Sequence, residues 1–297
     1  MKIEDVLNDL QSDSIKNIII DTDAYNEIDD QYAIAYAMRS PERINILAFC
    51  AAPFYNNRSA SFADGMLKSY NEIFKITSLT DANCQIPVYK GSEAPLEAAD
   101  KPVESEAADR IAELVLGSEK PIYIVAIGAA TNVASAIIKY PEIVDKCAVI
   151  WFGGHALHYH NTDEFNLSGD LIAAQVLLDS GIPLLQMPCF GVCTEFLTTI
   201  PELEHYMSGK NPLCDYLLDV TRNYTDQPFG WSKVIWDVTA IGVFTTPEAY
   251  EMVIMPRPIV TADKTYSFDM ARAPYIYVRK LWRDAIYADM FTKLTEI

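Results

Sequence analysis

The sequence predicts an α/β fold in which a doubly wound, mostly parallel central sheet is flanked by helices. Short apolar runs rich in β-branched residues, such as Ile18 to Ile20, are typical of strands buried on both faces of a parallel sheet. Segments of helical periodicity alternate with these runs along the whole chain, as in doubly wound folds. Half of the 297 residues are hydrophobic, and no repeat or linker marks a boundary, so we predict a single domain over residues 1–297.

The predicted strands are short apolar runs that stop at charged or turn-forming residues. The first ends in aspartates, and the run at 121–127 ends at Gly128. The predicted strands are, in chain order, 17–21, 44–51, 86–89, 121–127, 147–152, 182–187 and 275–278. The polar segment 155–168 is predicted to be a loop. In such a sheet, ligands collect at the carboxyl ends of the strands.

The predicted helices carry apolar residues three and four positions apart and have recognisable ends. Gly117 is a typical C-terminal cap for the helix before it. The predicted helices are 29–39, 59–79, 104–116, 133–139, 170–179, 194–224 with breaks at Pro201 and 209–212, 234–243 and 284–294.

Charge and composition exclude several classes of partner. The net charge is −18 and the isoelectric point is near 4.5, which argues against binding to nucleic acid or anionic membranes. The first seventeen residues lack the apolar stretch of a signal peptide, and no segment has the length and apolarity of a membrane span. Six scattered cysteines among apolar neighbours predict reduced, buried thiols. We therefore expect a cytoplasmic protein.

A cluster of carboxylates follows the first predicted strand. Asp21 and Asp23 end the strand, Asp29 and Asp30 open the next helix, and Glu27 lies between them. These charges would repel one another strongly unless a cation compensates them, and hard divalent cations prefer oxygen ligands. The alternative is that Asp29 or Asp30 caps the helix, but a cap needs only one oxygen and does not account for all four aspartates.

Other predicted strand ends and one apolar run supply further polar groups. Thr131 and Asn132 follow the fourth predicted strand, and Glu164 lies in the loop after the fifth. Asp237 interrupts the apolar run from Val234 to Val238. A carboxylate in such a run is costly unless it is paired or bound to a cation, so a buried salt bridge is the alternative for Asp237.

Taken together, these segments resemble the inosine-uridine-preferring nucleoside hydrolases. The resemblance runs from about residue 17 to 240 and rests on motifs that occur in the family's order. These motifs are Asp21-Thr22-Asp23 with Asp29-Asp30, Pro87-Val88-Tyr89-Lys90-Gly91, Gly128-Ala129-Ala130-Thr131-Asn132, Glu164-Phe165-Asn166 with Gly169-Asp170 after it, and Trp236-Asp237.

The resemblance implies a nucleoside-hydrolase-like domain with a Rossmann-like core and a Ca²⁺ ion at the bottom of the pocket. The implied reaction is hydrolysis of the N-glycosidic bond of ribonucleosides in purine and pyrimidine salvage, by a homodimer or homotetramer. Carried over to this chain, the metal ligands would be Asp23, Asp30, Asp237 and the backbone carbonyl of Thr131. Asp23 would also be the general base on the attacking water.

The same resemblance implies the ribose contacts, and this chain departs from the family pattern at several positions. Ribose hydroxyls would be held by Asp29, Glu164 and Asn166. The spacer from Ala24 to Ile28 is two residues longer than the family's, so Asn26 or Glu27 is expected to reach into the pocket.

Two further departures affect polar positions around the pocket. The family's Gly-Asn after the second strand is Ala51-Ala52-Pro53 here, which removes one polar contact. The Gly-Asn before Glu-Phe-Asn is replaced by His158-Tyr159-His160-Asn161.

The residues expected to face the leaving base are Trp236 and a histidine cluster. Purine-preferring family members carry Trp at the position of Trp236, where it stacks on the base; the alternative is a core indole. His158 and His160, with His155, lie in the loop beside the pocket and are candidate proton donors, with surface histidines as the alternative.

Two other functions compete with a nucleoside hydrolase. A strand ending in Asp-x-Asp also opens the nucleophile motif of haloacid-dehalogenase-type phosphatases, which would make Asp21 the phosphoryl acceptor. The other alternative is a non-catalytic ribose or nucleoside binder that kept its metal site, since the spacer and the lost Asn alter the pocket.

Overall fold

A computed structural model describes residues 1–296, and the predicted α/β class is confirmed. The strands in that part of the chain are β1 (Lys16–Thr22), β2 (Ile44–Ala51), β3 (Val88–Lys90), β4 (Ile122–Ala126), β5 (Cys147–Phe152), β6 (Leu184–Met187), β7 (Leu197–Thr198), β8 (Lys233–Val234), β9 (Tyr250–Pro256), β10 (Pro258–Val260), β11 (Tyr266–Phe268) and β12 (Pro274–Leu281). The helices are α1 (Ile3–Leu10), α2 (Asp29–Met38), α3 (Phe62–Thr80), α4 (Glu106–Gly117), α5 (Thr131–Lys139), α6 (Phe165–Gly169), α7 (Leu171–Asp179), α8 (Ile200–Met207), α9 (Pro212–Arg222), α10 (Val238–Thr245) and α11 (Arg283–Thr295).

An 8-stranded sheet runs in the order β3-β2-β1-β4-β5-β6-β12-β9. All neighbours in this sheet pair in parallel except β12 and β9, which are antiparallel. The chain first builds outward from β1 through β2 to β3 and then crosses to β4 on the other side of β1. The order reverses between β1 and β4, and ligands of such sheets bind at that switch point.

The central strand β1 is buried on both faces, as its β-branched composition predicts. Ile18 and Ile20 belong to the apolar core on one face of the sheet, and Ile19 belongs to the core on the other. Side chains alternate between the faces of a strand, so a run of isoleucines serves both cores. The same strand carries Asp21 to its carboxyl end, where α2 and α5 begin nearby.

The structure corrects several predicted elements. The helix predicted at 234–243 begins only at Val238, because Lys233 and Val234 pair with β7 and Asp237 occupies the N-cap position. The predicted loop 155–168 contains the start of α6, which the side chain of Glu164 caps. Pro201 marks the start of α8 and not a break within a helix.

Other elements were not predicted at all. Helix α1 buries Ile3, Val6 and Leu10, whose spacing is that of one helical face. Strand β9 and the β10–β11 hairpin lie in a region where no strand or helix was predicted.

Two findings concern the thiols and possible membrane segments. All six cysteines are free, and five of them are buried, as predicted; Cys84 is partly exposed. Across residues 1–296, no helix combines the length and the apolarity needed to cross a bilayer.

Candidate active site

A cavity of about 360 Å³ opens at the carboxyl ends of the central strands. Its walls come from the chain just after β1, β4, β5 and β6, from the first turns of α2 and α6, and from the segment between β8 and α10. The cavity therefore lies at the switch point of the sheet, where the carboxylates after β1 were expected to act.

Four buried aspartates form the bottom of this cavity, and we call Asp23, Asp29, Asp30 and Asp237 the carboxylate floor. Carboxylate oxygens of Asp29, Asp30 and Asp237 all lie within 4.8 Å of one another. The Oδ2 atom of Asp23 is buried without a hydrogen-bond partner. Residues that are two hundred positions apart in the sequence thus meet at one point.

The first turn of α2 aims its two aspartates at the cavity and does not use them as caps. The N-cap residue is Ile28, and no side chain caps the helix. Asp29 accepts a hydrogen bond from the backbone N–H of Trp236 at 3.0 Å, and Asp30 accepts one from the hydroxyl of Thr22. The capping alternative for these aspartates is therefore wrong.

Burial and mutual repulsion make the carboxylate floor hard to ionise without a cation. Burial, followed by the neighbouring carboxylates, raises the pKa of Asp23 and of Asp237 well above the usual range. The same causes raise the pKa of Asp30 to about 8, and burial raises that of Asp29 to about 6.

These properties fit a hard divalent cation. An unpartnered carboxylate oxygen and converging aspartates provide only oxygen donors, which Ca²⁺ and Mg²⁺ prefer. A bound cation would favour the ionised form of every carboxylate in the floor. Of the predicted carboxylate ligands Asp23, Asp30 and Asp237, the last two belong to this cluster, and its third member is Asp29.

The segment after β4 packs directly against Asp23. A Cβ atom on Gly128 would lie 3.2 Å from the Cγ atom of Asp23 and 2.9 Å from the Cβ atom of Ala52, so only glycine permits this approach. Thr131, the predicted carbonyl ligand, is fully buried and is not among the residues that line the cavity. Its hydroxyl donates to Asp170 at 2.8 Å, which fixes the start of α5.

Asn132 and Asp21 support the floor from behind. The Asn132 amide donates to Asp21 at 2.7 Å and to the carbonyl of Ala51 at 3.2 Å, and its oxygen accepts from the backbone and hydroxyl of Ser92. Asp21 is fully buried and does not line the cavity. This placement leaves Asp21 no access to a phosphoryl group, so the phosphatase alternative loses its nucleophile.

Glu164 lines the cavity beside the carboxylate floor. Its carboxylate accepts three backbone hydrogen bonds, from Gly154 at 2.9 Å, Asn166 at 2.8 Å and Leu167 at 3.0 Å. Burial nevertheless raises its pKa to about 7. These bonds hold the side chain rigidly, as a group that positions a ligand requires.

Asn166 lies next to Glu164 on the same wall. Its amide nitrogen donates to the carbonyls of Ile127 at 3.0 Å and Phe152 at 3.2 Å. Because both donors are used in this way, the side-chain oxygen remains for a ligand in the cavity.

Aromatic rings also line the cavity, and we call Phe152, His155, Phe190 and Trp236 the aromatic wall. His155 and Phe190 stack with centroids 4.6 Å apart, and Phe190 meets Trp236 edge-on at 5.8 Å. Burial lowers the pKa of His155, whose Nδ1 atom accepts from the backbone N–H of Phe190 at 3.4 Å. Aromatic rings that line a cavity suit a flat heterocycle.

The longer spacer does reach the cavity. Asn26 and Glu27 both line it, and Arg58 donates to their backbone carbonyls at 3.3 and 3.2 Å. The Asn26 side chain accepts from Asn56 at 2.6 Å, while Glu27 pairs with Lys233. The spacer is thus held on both sides by side chains from other elements.

Two residues that were predicted to lie beside the pocket are outside it, and two that were not predicted line it. His158 and His160 are exposed and do not line the cavity; His160 lies 2.9 Å from the Asn161 amide. Sequence reasoning missed Phe190 and Lys233, which do line it. The position of Lys233, three residues before Trp236, was the available signal.

Comparisons with known proteins agree with this geometry. The family model described as inosine-uridine preferring nucleoside hydrolase matches residues 18–272. A pyrimidine-specific ribonucleoside hydrolase, RihA, from Escherichia coli O127:H6 is 26% identical over 291 residues, covering 88% of this chain and 89% of the relative.

Solved structures share the fold. The purine-preferring ribonucleoside hydrolase from Gardnerella vaginalis superposes with a TM-score of 0.79 at 21% identity, covering 94% of this chain and 98% of that one. A plant nucleoside hydrolase, PpNRh1, gives a TM-score of 0.76 at 19% identity, covering 96% and 100%.

Proposed function

Because the chain belongs to the inosine-uridine preferring nucleoside hydrolase family, and is thus an N-glycosyl hydrolase, we propose that it cleaves ribonucleosides with the help of Ca²⁺. The products are a free base and ribose. The observation that carries the Ca²⁺ requirement is the carboxylate floor, whose converging buried oxygens lack enough positive charge around them. Among the described residues, Lys233 is the only lysine or arginine that lines this cavity.

The proposed metal ligands are Asp23, Asp30, Asp237 and the backbone carbonyl of Thr131. They offer oxygen atoms alone, and Ca²⁺ accepts six to eight such ligands in flexible geometry. When bound, the ion supplies positive charge that keeps the carboxylates ionised and lowers the pKa of a nearby water.

Asp23 is the proposed general base. Its Oδ2 atom has no partner within the protein, so this oxygen is free to take a proton from the water that attacks the anomeric carbon. Cleavage of an N-riboside passes through an oxocarbenium-like state, as glycoside hydrolysis does. The carboxylates of the floor stabilise the positive charge that develops on the sugar.

Asp29, Glu164 and Asn166 are the proposed ribose contacts, with Asn26 and Glu27 of the spacer near them. Support comes from the three backbone bonds that fix Glu164 and from the free side-chain oxygen of Asn166. Rigid acceptors of this kind orient sugar hydroxyls without loss of side-chain entropy on binding.

Trp236 is proposed to stack on the base and to favour purines. Stacking on an aromatic side chain is worth about 1–3 kcal/mol per base. The competing expectation comes from the Escherichia coli relative, which is named as pyrimidine-specific. His158 and His160, which the sequence suggested as proton donors to the base, are exposed and do not line the cavity, so we propose no such role for them.

We further propose a single domain, a homodimer or homotetramer, and a cytoplasmic role in nucleoside salvage. The six free thiols support a reducing compartment. Light scattering of the purified protein measures the oligomeric state directly.

The test of the proposed function is a nucleoside panel assayed with Ca²⁺ and with a chelator. We expect ribose and free base to appear from purine or pyrimidine ribonucleosides with Ca²⁺, and the chelator to abolish the release. Mg²⁺ and Zn²⁺ serve as controls for the identity of the metal. A folded protein that binds Ca²⁺ and cleaves no member of the panel would contradict the proposal.

A further inference from the structure

Lys233 is the only lysine or arginine among the described residues that line the active-site cavity. Seven carboxylate side chains line the same cavity, four of them in the floor. The side chain of Lys233 is 10% exposed. A lysine that is buried in an acid-rich cavity is not an ordinary surface charge, which suggests a functional role.

The ammonium group of Lys233 is held in a fixed position. It forms a salt bridge with Glu27, whose other carboxylate oxygen accepts from the Tyr224 hydroxyl at 2.9 Å. Its Nζ atom also lies 5.2 Å from the centroid of the Tyr224 ring. Burial alone would lower the pKa of Lys233, but the charges of Asp29 and Glu27 raise it above its ordinary value, so the group stays protonated.

Lys233 lines the same cavity as Trp236, the residue expected to face the base. It lies in β8, three residues before Trp236, whereas the ribose contacts Glu164 and Asn166 come from the loop before α6 and its first turn. The backbone N–H of Trp236 is fixed by Asp29 at 3.0 Å. One short segment therefore supplies both an aromatic ring and a cation to the cavity lining.

We propose that the Lys233 ammonium donates a hydrogen bond to the departing base and stabilises the negative charge that collects on it. This inference rests on the proposed nucleoside hydrolysis. Glu27 and Tyr224 are positioning residues, because they hold the lysine and do not themselves touch the base. The longer spacer thereby gains a role, since it supplies Glu27.

The step balances with the groups at hand. The C1′–N bond breaks and leaves its electron pair on the base, while the water oxygen bonds to C1′ and gives one proton to Asp23. Lys233 keeps its protons and neutralises the anionic base until release, when the base takes a proton from solvent and Asp23 returns one. Fixed charges aimed at developing charge typically contribute about 10²–10³-fold in kcat.

The substrate class follows from this role. Leaving groups with a nitrogen or oxygen acceptor next to the broken bond, as in purines and pyrimidines, benefit from the lysine. A leaving group that is already a stable anion, such as 4-nitrophenolate, needs little help. The lysine therefore selects for poor leaving groups that carry an acceptor.

The experiment compares Lys233→Met with the wild-type protein on inosine, uridine and 4-nitrophenyl β-D-ribofuranoside. We expect kcat on the nucleosides to fall by about 10²–10³-fold, and kcat on the nitrophenyl riboside to fall by less than about 5-fold. Lys293→Met is the matched control. Lys293 of α11 is 13% exposed and also pairs with acids, Glu42 and Asp289. This variant should leave kcat unchanged on all three substrates.

A second variant guards against misfolding. In Glu27→Gln the lysine is still present but loses its salt bridge, and kcat on the nucleosides should fall selectively by about 10-fold. An unchanged far-UV circular dichroism spectrum shows that the variant is folded. Equal losses of kcat on nucleosides and on the nitrophenyl riboside, or no loss on either, would overturn the proposed role of Lys233 but not the proposed function. A wild-type protein that cleaves neither class of substrate would overturn the proposed function as well.

Discussion

The carboxylate floor and the aromatic wall line one cavity, yet they are built in different ways. The floor comes from the end of a central strand and the first turns of helices, and Asp23 and Asp30 are each only 1% exposed. The wall comes largely from loops, and its Phe190 is 42% exposed. The sheet fixes the positions of the floor residues, whereas the loops allow the residues of the wall to differ in position and type. We therefore expect the floor to determine whether the bond is cleaved and the wall to determine which base is accepted.

The largest effect expected from this comparison is that of Asp23→Asn. The amide keeps the size of the side chain but cannot take a proton from water, so kcat should fall by about 10²–10⁴-fold on every nucleoside. Ribose release at saturating substrate measures the loss. Asp289→Asn, which alters a carboxylate bound to Tyr36 and Lys293 far from the cavity, is the control. A loss confined to purines or to pyrimidines would break the distinction between floor and wall.

The floor should also make the metal-free protein less stable as the pH rises. The pKa is raised to about 8 for Asp30, about 7 for Glu164 and about 6 for Asp29, all above the values of the unfolded chain. The folded chain therefore binds more protons than the unfolded chain between about pH 4 and 8. That stability is present below the unfolded pKa values and is lost as the pH rises through the folded ones.

Ca²⁺ should reverse this loss. At a concentration of about 100 times its Kd, the ion should add about 2.7 kcal/mol to the free energy of unfolding, or roughly 5 °C in Tm. The Tm gain should be larger at pH 8 than at pH 6, because fewer protons must leave the carboxylates. Differential scanning calorimetry of chelated and Ca²⁺-loaded protein measures both trends. A gain that is larger at pH 6 would contradict a metal site in the floor.

A change in the wall should have a smaller and more selective effect. Trp236→Ala removes the ring that is proposed to stack on the base, so kcat/KM should fall by about 5–150-fold, the equivalent of about 1–3 kcal/mol. Inosine should suffer more than uridine if the ring favours purines. Phe190→Ala, which changes a neighbouring ring of the wall, is the matched comparison. Equal losses on both nucleosides would contradict base selection by the ring, since the alanine variant keeps the backbone N–H that donates to Asp29.

The floor could be predicted from the sequence because its residues lie at the ends of buried strands and the starts of helices. A buried run such as Ile18–Ile20 fixes where the following aspartates lie, and the confirmed fold brings Asp23, Asp30 and Asp237 to one end of the sheet. Strand ends and helix starts are local features, so their positions follow from periodicity and composition. The family resemblance, now confirmed, supplied the long-range partner of these residues.

Phe190 and Lys233 escaped prediction because tertiary packing sets their positions. Lys233 lines the cavity only because its strand pairs with β7, and this two-residue strand has no periodicity to detect. Phe190 follows β6 in a segment whose direction depends on Gly191, with its φ of +89°. Loop residues such as His158 were judged from sequence proximity, which does not specify where a loop points.

The smallest expected effect concerns the two histidines that the sequence placed in the wall. His158 and His160 are exposed on the loop after β5, whereas His155 of the same loop is buried in the cavity wall and uncharged near neutral pH. The double change His158→Ala with His160→Ala should therefore alter kcat by less than about 3-fold, because general-acid groups normally contribute about 10²–10⁴-fold and neither side chain lines the cavity. The pH–rate profile should keep its shape, since no proton donor has been removed. A 100-fold loss with a missing alkaline limb would show that the loop closes over bound substrate, and the wall would then supply chemistry as well as selection.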